Sequence, residues 1–282
     1  MLLSRLFYWF VLLGVVLLVV PEGLAQFKGR TPPARQMPDR LDQESGEALL
    51  ESFRGGQGVG VFGYKFELEE RPYRDSSWQL SGRLYGHWFG DPYWSRLEID
   101  QDSGEAAVWL LRNGREPAIW KWQDDRFREV EPANWNNPLI DGSSVTIFDL
   151  LMPYIHWQES EYLGPTRHLG RPIQRFLLQN PIADAEPAVV EAYIDEAFFA
   201  LLQVRSYDAE GDELRRWQAA SFRRAGEDWT LGRLDLSDRQ SRSSTRLRFT
   251  HYLEYPNLDT SGFRPESSLP QMDVPSEAWE RL

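Results

Sequence analysis

The sequence predicts a mostly β protein of the α+β class. Its expected form is an incomplete antiparallel barrel of about eleven strands with short helices covering the concave face. Three observations carry this expectation. Residues 77–89 alternate with period two: Trp78, Leu80, Gly82, Leu84, Gly86 and Trp88 share one side, and mostly polar residues take the other. Turn signals recur at the short spacing of sequential hairpins, too close for the crossover helices of a parallel sheet. Midway along, residues 143–157 are apolar almost all the way round, so a helix there has to be covered on every side.

Composition narrows the function. Of 282 residues, 41% are hydrophobic and 26% charged, enough for a real core, and the formal charge of −12 argues against nucleic acid as a partner. The chain has no cysteine. Disulfides, thiolate zinc sites, cysteine nucleophiles and a lipid-modified cysteine anchor are therefore excluded together.

Taken in order, residues 1–25 read as a signal peptide: Arg5 precedes an uncharged apolar run, Pro21 breaks it, and Gly23-Leu24-Ala25 offers small residues for cleavage. The alternative is an N-terminal membrane anchor, but fifteen apolar residues in a helix reach only roughly 22 Å against a hydrocarbon core of about 30 Å. A periplasmic location follows as the expectation. Residues 26–41 form a Pro/Arg-rich linker. Asp42 caps a short helix with Leu49, Leu50 and Phe53 on one side, ended by Gly55-Gly56. Residues 108–112 and 117–123 flank Asn113-Gly114, a strong two-residue hairpin signal, and Asp124-Asp125 makes the next turn. Thr146 with Asp149 forms a capping box, and Pro153 stops the central helix after Met152. Strands resume at 173–178, 189–194, 198–207, 214–223, 229–236 and 245–255. Residues 42–270 are read as one domain. The tail from 257 is expected to lie loosely along it and to fray over 271–282.

The early helix at 42–54, the central Thr146-Ile147-Phe148-Asp149-Leu150-Leu151-Met152-Pro153-Tyr154-Ile155-His156-Trp157, Tyr162-Leu163-Gly164, Gly170-Arg171-Pro172, Gly262-Phe263 and Leu269 together resemble the LolA/LolB-like superfamily. The likeness is strongest to its branch of periplasmic outer-membrane lipoprotein-sorting proteins. The resemblance implies a half-barrel whose lidded concave side holds acyl chains of lipids or lipoproteins, with docking partners at the inner or outer membrane. Because no cysteine is present for a lipid anchor, a soluble carrier is implied. Acyl chains in water cost about 0.8 kcal/mol per exposed methylene, so such a carrier needs a dry cavity and no catalytic constellation. Twelve tryptophans and fifteen phenylalanines are available to line it. The candidates are Trp78, Leu80, Leu84, Trp88, Trp109, Trp120 and Trp122 from strands, with Phe148, Leu151, Met152 and Ile155 from the plug.

Other chemistries find less support. The Gly56-Gln57-Gly58-Val59-Gly60 stretch follows a helix and enters a strand, the reverse of a dinucleotide loop. His87, His156, His168 and His251 lie in separate segments without metal-ligand spacing, so no metal or cofactor is expected. Glu129 with Glu131 and Glu159 with Glu161 read as solvated faces, and no hydrolase or zincin motif occurs, so no enzymatic activity is expected. Arg246 and Arg248 alternate with Leu247 and Phe249 and are expected on an outer face, solvated or paired with carboxylates. The alternative function is a secreted carbohydrate binder, presenting Trp88, Trp94, Trp120, Trp122 and Trp135 as a row of exposed indoles.

Overall fold

Alternating side chains and short turns build a single antiparallel sheet. The structure, a computed structural model, describes residues 40–282 except 56–59, 89–91, 102–105, 169, 196–199, 226–227, 255–258 and 269–270. It also describes residues 11–12 and 15–16, which pair as a two-residue ladder. The signal-peptide and linker readings, the glycine stretch at 56–59 and the turn at 102–104 otherwise lie outside the described residues.

Helix α1 (Gln43–Gly55) leads into β1 (Gly60–Arg71), β2 (Trp78–Trp88), β3 (Tyr93–Asp100), β4 (Ala106–Asn113), β5 (Ala118–Gln123) and β6 (Arg126–Glu129). A helical connection with α2 (Ile147–Leu151) follows. The chain then continues through β7 (Ser160–His168), β8 (Arg171–Gln179), β9 (Val189–Asp195), β10 (Ala200–Tyr207), β11 (Glu213–Ala225), β12 (Asp228–Asp238) and β13 (Ser244–Glu254), and ends in β14 (Glu280–Arg281). The sheet has 14 strands in the order β6-β5-β4-β3-β2-β1-β13-β12-β11-β10-β9-β8-β7, with β14 added beside β13. Every neighbouring pair is sequential except β1 with β13, which join in antiparallel register through Phe66↔Phe249 and Leu68↔Leu247. The sheet is not closed: its free edges are β6 and β7, the two strands that the helical connection links.

The count of about eleven strands is corrected to 14. Strand β7 was hidden by Gly164 and Pro165. Gly164 has φ 94°, the register with β8 slips beside it, and proline is tolerated because β7 is an edge strand. Two-residue β14 carries no periodic signal. The Asp124-Asp125 turn is realised with φ of 51° and 59°, the left-handed pair of a tight hairpin. In contrast, β4 runs through Asn113, and the loop is residues 114–117.

One large core cluster fills the concave face, drawing Phe62, Tyr64, Phe66 and Leu68 from β1, alternate residues from the other strands, and Leu50 and Phe53 from α1. Asp42 accepts the Ser45 backbone N–H at 2.8 Å and so starts the helix as expected. Gly46 lets α1 lie directly on Tyr162, since a Cβ there would stand 2.6 Å from the ring.

The outer face holds a second cluster, formed by Val61, Tyr85, Val108, Leu110, Phe127, Leu253, Phe263 and Met272. The C-terminal segment covers it. The expectation of a loose, frayed tail is thus corrected: Trp279 packs on Tyr85 and receives the Lys65 ammonium over its ring, and β14 pairs with β13. Beneath this strap Arg96 and Glu98, both fully buried, bond at 2.9 Å. Arg96 also donates to the Gly262 carbonyl, and the Met272 amide donates to Glu98 at 2.7 Å. The sequence missed the strap because its anchors are single backbone groups far from their partners in the chain. Elsewhere on the outer face, Arg248 pairs with Glu67, and Arg246 lies 3.4 Å from Glu69, as the alternation anticipates.

Removing Arg96 leaves the buried Glu98 with only the 3.5 Å contact to Arg83 as an ion pair, so Arg96→Met should lower stability by about 3–5 kcal/mol in urea unfolding and expose the C-terminal segment to protease. The double replacement Arg96→Met with Glu98→Leu should recover much of that loss. The strap is also pH-sensitive. His87 stacks on Phe263 at 5.2 Å, and burial, reinforced by Arg264, lowers its pKa. The folded state therefore resists the proton that the unfolded chain takes up below about pH 6.5. Stability contributed by neutral His87 should be present above that pH and decline as pH falls. His87→Phe should flatten the fall measured between pH 7 and 5.

Candidate functional site

The concave face is occupied by the segment joining β6 to β7. Helix α2 begins at Thr146, whose hydroxyl accepts the Asp149 backbone N–H at 3.2 Å while the Asp149 carboxylate accepts the Thr146 N–H at 2.9 Å. This is the capping box expected from the sequence. The helix is only five residues long. Met152 turns left-handed (φ 49°), and Pro153 starts a 3-10 turn, Pro153–His156. Ile147, Leu150, Leu151, Met152, Tyr154, Ile155 and Trp157 are buried in the core, and Phe148 is half-buried. The rings of Phe148, Tyr154 and Trp157 contact one another at 5.9–6.4 Å.

Polar bonds tie this plug to its flanking elements. At its start, Ser144 and Thr245 both donate to the buried Glu70 carboxylate. Arg215 donates to Asp149 at 2.5 Å and also pairs with Asp238 at 3.1 Å. At the end of α2, Asn113 donates to the Leu151 carbonyl at 2.6 Å and to the Tyr93 hydroxyl. Farther on, Arg54 of α1 donates to the Ile155 carbonyl at 2.6 Å and the Trp157 carbonyl at 2.5 Å. Between these latches the plug meets the sheet through apolar contact. Tyr154 is an exception, because its buried hydroxyl has no hydrogen-bond partner. Burial, with the Asp149 and Tyr93 charges adding to it, raises the pKa of that phenol.

Nine of the eleven candidate lining residues come together here. Leu84, Trp88, Trp109, Leu151, Met152 and Ile155 are buried in the concave core, and Trp78, Leu80 and Phe148 pack against it half-buried. Trp120 and Trp122 do not. They belong to the outer cluster, and this corrects their assignment. The reason is register. A two-residue turn at Asn113-Gly114 would set Trp109 opposite Ala118 and bring Trp120 and Trp122 inward. With the longer loop, Trp109 instead faces Lys121, and a shift of odd length sends every β5 side chain to the other face. The Asn113 side chain accepts the Gly114 N–H through Oδ1 and serves the plug through Nδ2. The five tryptophans weighed as a sugar platform do not form one row: Trp94, Trp120 and Trp122 pack against the outer cluster, and Trp88 and Trp135 lie apart from them. Trp88 stacks on Tyr93 in the core, Trp94 stacks on Trp120 outside, and Trp135 donates to the Val130 carbonyl.

Sequence reasoning missed Arg54, Asn113 and Arg215, because each reaches its plug partner across 38 to 103 residues of chain. The one local signal was Asp149, a carboxylate buried in an apolar helix and therefore in need of a cation.

The architecture is an open antiparallel half-barrel with a helical plug on its concave face. No protein-family model matches the chain, and no curated protein matches its sequence. Solved structures do match. A Vibrio parahaemolyticus domain assigned to outer membrane lipoprotein sorting superposes with TM-score 0.64 at 17% identity, over 78% of this chain and 94% of its own. A DUF1329 family protein from Desulfovibrio piger gives 0.67 at 11% identity, over 78% and 96%. A LolA superfamily protein from Nitrosomonas europaea gives 0.59 at 12%, over 78% and 97%. The fold of this chain is LolA-like.

Two substitutions test the plug. Arg54→Ala removes two buried carbonyl partners and should cost about 1–3 kcal/mol of stability, with faster hydrogen exchange at residues 153–157. Tyr154→Phe deletes an unpartnered hydroxyl, so stability should hold or rise by about 1 kcal/mol in thermal unfolding.

Proposed function

We propose that the protein is a periplasmic carrier of lipid or lipoprotein acyl chains, without catalytic activity, and that cargo takes the place of the plug. The observation that carries this reading is the make-up of residues 144–157: apolar side chains fill the concave face, while polar bonds tie the segment to flanking elements through Arg54, Asn113 and Arg215. A plug held in this way can lift as a unit, and the face it uncovers is matched by hydrocarbon. Acyl chains would restore the apolar contact that the plug gives up, at about 25 cal/mol per Å² of buried surface. Release then comes from the plug returning or from a membrane partner, since a dry apolar face offers no chemistry to discharge a load. The LolA-like fold is consistent with this role. Among the described residues no helix is long and apolar enough to cross a membrane, and no cluster of side chains suits a metal.

The competing carbohydrate reading calls for exposed indoles. Trp94 and Trp120, stacked at 5.5 Å under the Arg112 guanidinium, are half-buried.

The test is uptake of a fluorescent fatty acid, with mass spectrometry of organic extracts of the native protein. Stoichiometric acyl species and saturable uptake are expected. Asn113→Ala, which loosens the plug, should take up the probe faster than the unaltered protein. Empty extracts together with no uptake by either protein would overturn the reading, and selective signals on a glycan array would replace it.

A further inference from the structure

Resting on the carrier reading above, we propose that Trp109, Lys121 and Arg128, at the open β6 edge, form a subsite for the oxyanion headgroup of an acyl amphiphile.

One cross-strand row connects that edge to the centre of the sheet. Tyr64 lies opposite Leu84, Leu84 opposite Leu97, Leu97 opposite Trp109, Trp109 opposite Lys121, and Lys121 opposite Arg128. Directly opposed residues share a face, so the row stays on the concave side throughout. It is aromatic and aliphatic over the inner strands and turns cationic on the last two. Such a track matches a molecule with a hydrocarbon body and an anionic end.

A cavity of about 310 Å³ opens where the row becomes charged, walled also by Asn134, Asn137 and Ile147. Two groups in its wall lack partners. Trp109 is 6% exposed, and its indole N–H has no acceptor, a state that buried donors seldom keep. The Lys121 ammonium stands 4.7 Å above the Trp109 ring, and among the described residues it has no carboxylate in salt-bridge range. The chain pairs comparable half-buried cations elsewhere: Arg171 with Asp195, Arg175 with Glu191, Arg215 with Asp149. Arg128 already pairs with Asp124 at 2.7 Å and adds a screened charge at the rim. Glu129 also borders the cavity, but it lies opposite Trp120, on the register of the outer face, so it does not neutralise Lys121. Donors without acceptors and a cation without an anion call for a phosphate or carboxylate group. The volume suits a headgroup and not a whole lipid.

Titration of the full chain with three probes tests this: dodecyl phosphate below its critical micelle concentration, dodecanol, and inorganic phosphate. Dodecyl phosphate should bind about tenfold or more tightly than dodecanol, the scale of one charge-assisted contact. Lys121→Met should abolish that preference, Lys121→Arg should retain most of it, and Trp109→Phe should reduce it while keeping the ring. Equal affinity for dodecyl phosphate and dodecanol, unchanged by Lys121→Met, overturns the subsite and leaves the carrier reading standing. Lys121-dependent binding of inorganic phosphate with no binding of either amphiphile overturns the amphiphile assignment and the carrier reading, leaving a site for the free anion. Circular dichroism of each variant separates lost binding from lost folding.

Discussion

A broad sheet that curls without closing leaves one apolar face in need of cover, and this requirement governs the rest of the molecule. In a closed barrel the opposing strands would fill the interior for one another. Here β6 and β7 remain unjoined, and the segment between them has to supply the missing packing. That explains why residues 144–157 are apolar on all sides although they form less than two turns of α-helix. Their backbone polar groups could not be left bare in such surroundings. Arg54, Asn113 and Trp135 meet some of them from the flanking elements, and Arg215 meets the Asp149 side chain.

The two faces solve their covering problem differently. On the concave side the cover is a mid-chain segment with apolar contact and polar bonds to its flanking elements, the Arg215–Asp149 pair among them. On the outer side it is the C-terminal strap, and there an ion pair lies at the centre, with Arg96 and Glu98 each bonded to a backbone group of the strap. An apolar interface tolerates exchange with any surface of similar character. A buried ion pair does not, because separation exposes specific unmet charges.

Much of this was legible locally. Thr146, Asp149 and Pro153 mark the start and end of α2 within eight residues, and the alternation from Trp78 to Trp88 places Leu84 and Trp88 on the correct face without tertiary information. What escaped depended on distance or on register. Trp120 and Trp122 look like lining residues by composition, but their face is decided by the length of the 114–117 loop, and Asn113-Gly114 suggested a shorter one. The strap escaped because Gly262 and Met272 contribute backbone groups, which leave no trace in residue identity. Lys121 was readable only as one of three lysines in an arginine-rich chain. Its meaning appears once Trp109 is seen opposite it.

The join between β1 and β13 has a consequence for how the molecule is made. The first of these strands emerges from the ribosome some 180 residues before its neighbour, and contacts of such separation form slowly. Until then one side of the early meander is bare, an invitation to pair with another chain. Lys65, Glu67 and Glu69 along β1 place alternating charge on that waiting strand, and Arg246 and Arg248 later complete it. The β1 charges that end in ion pairs on the finished surface stand, before closure, against premature association.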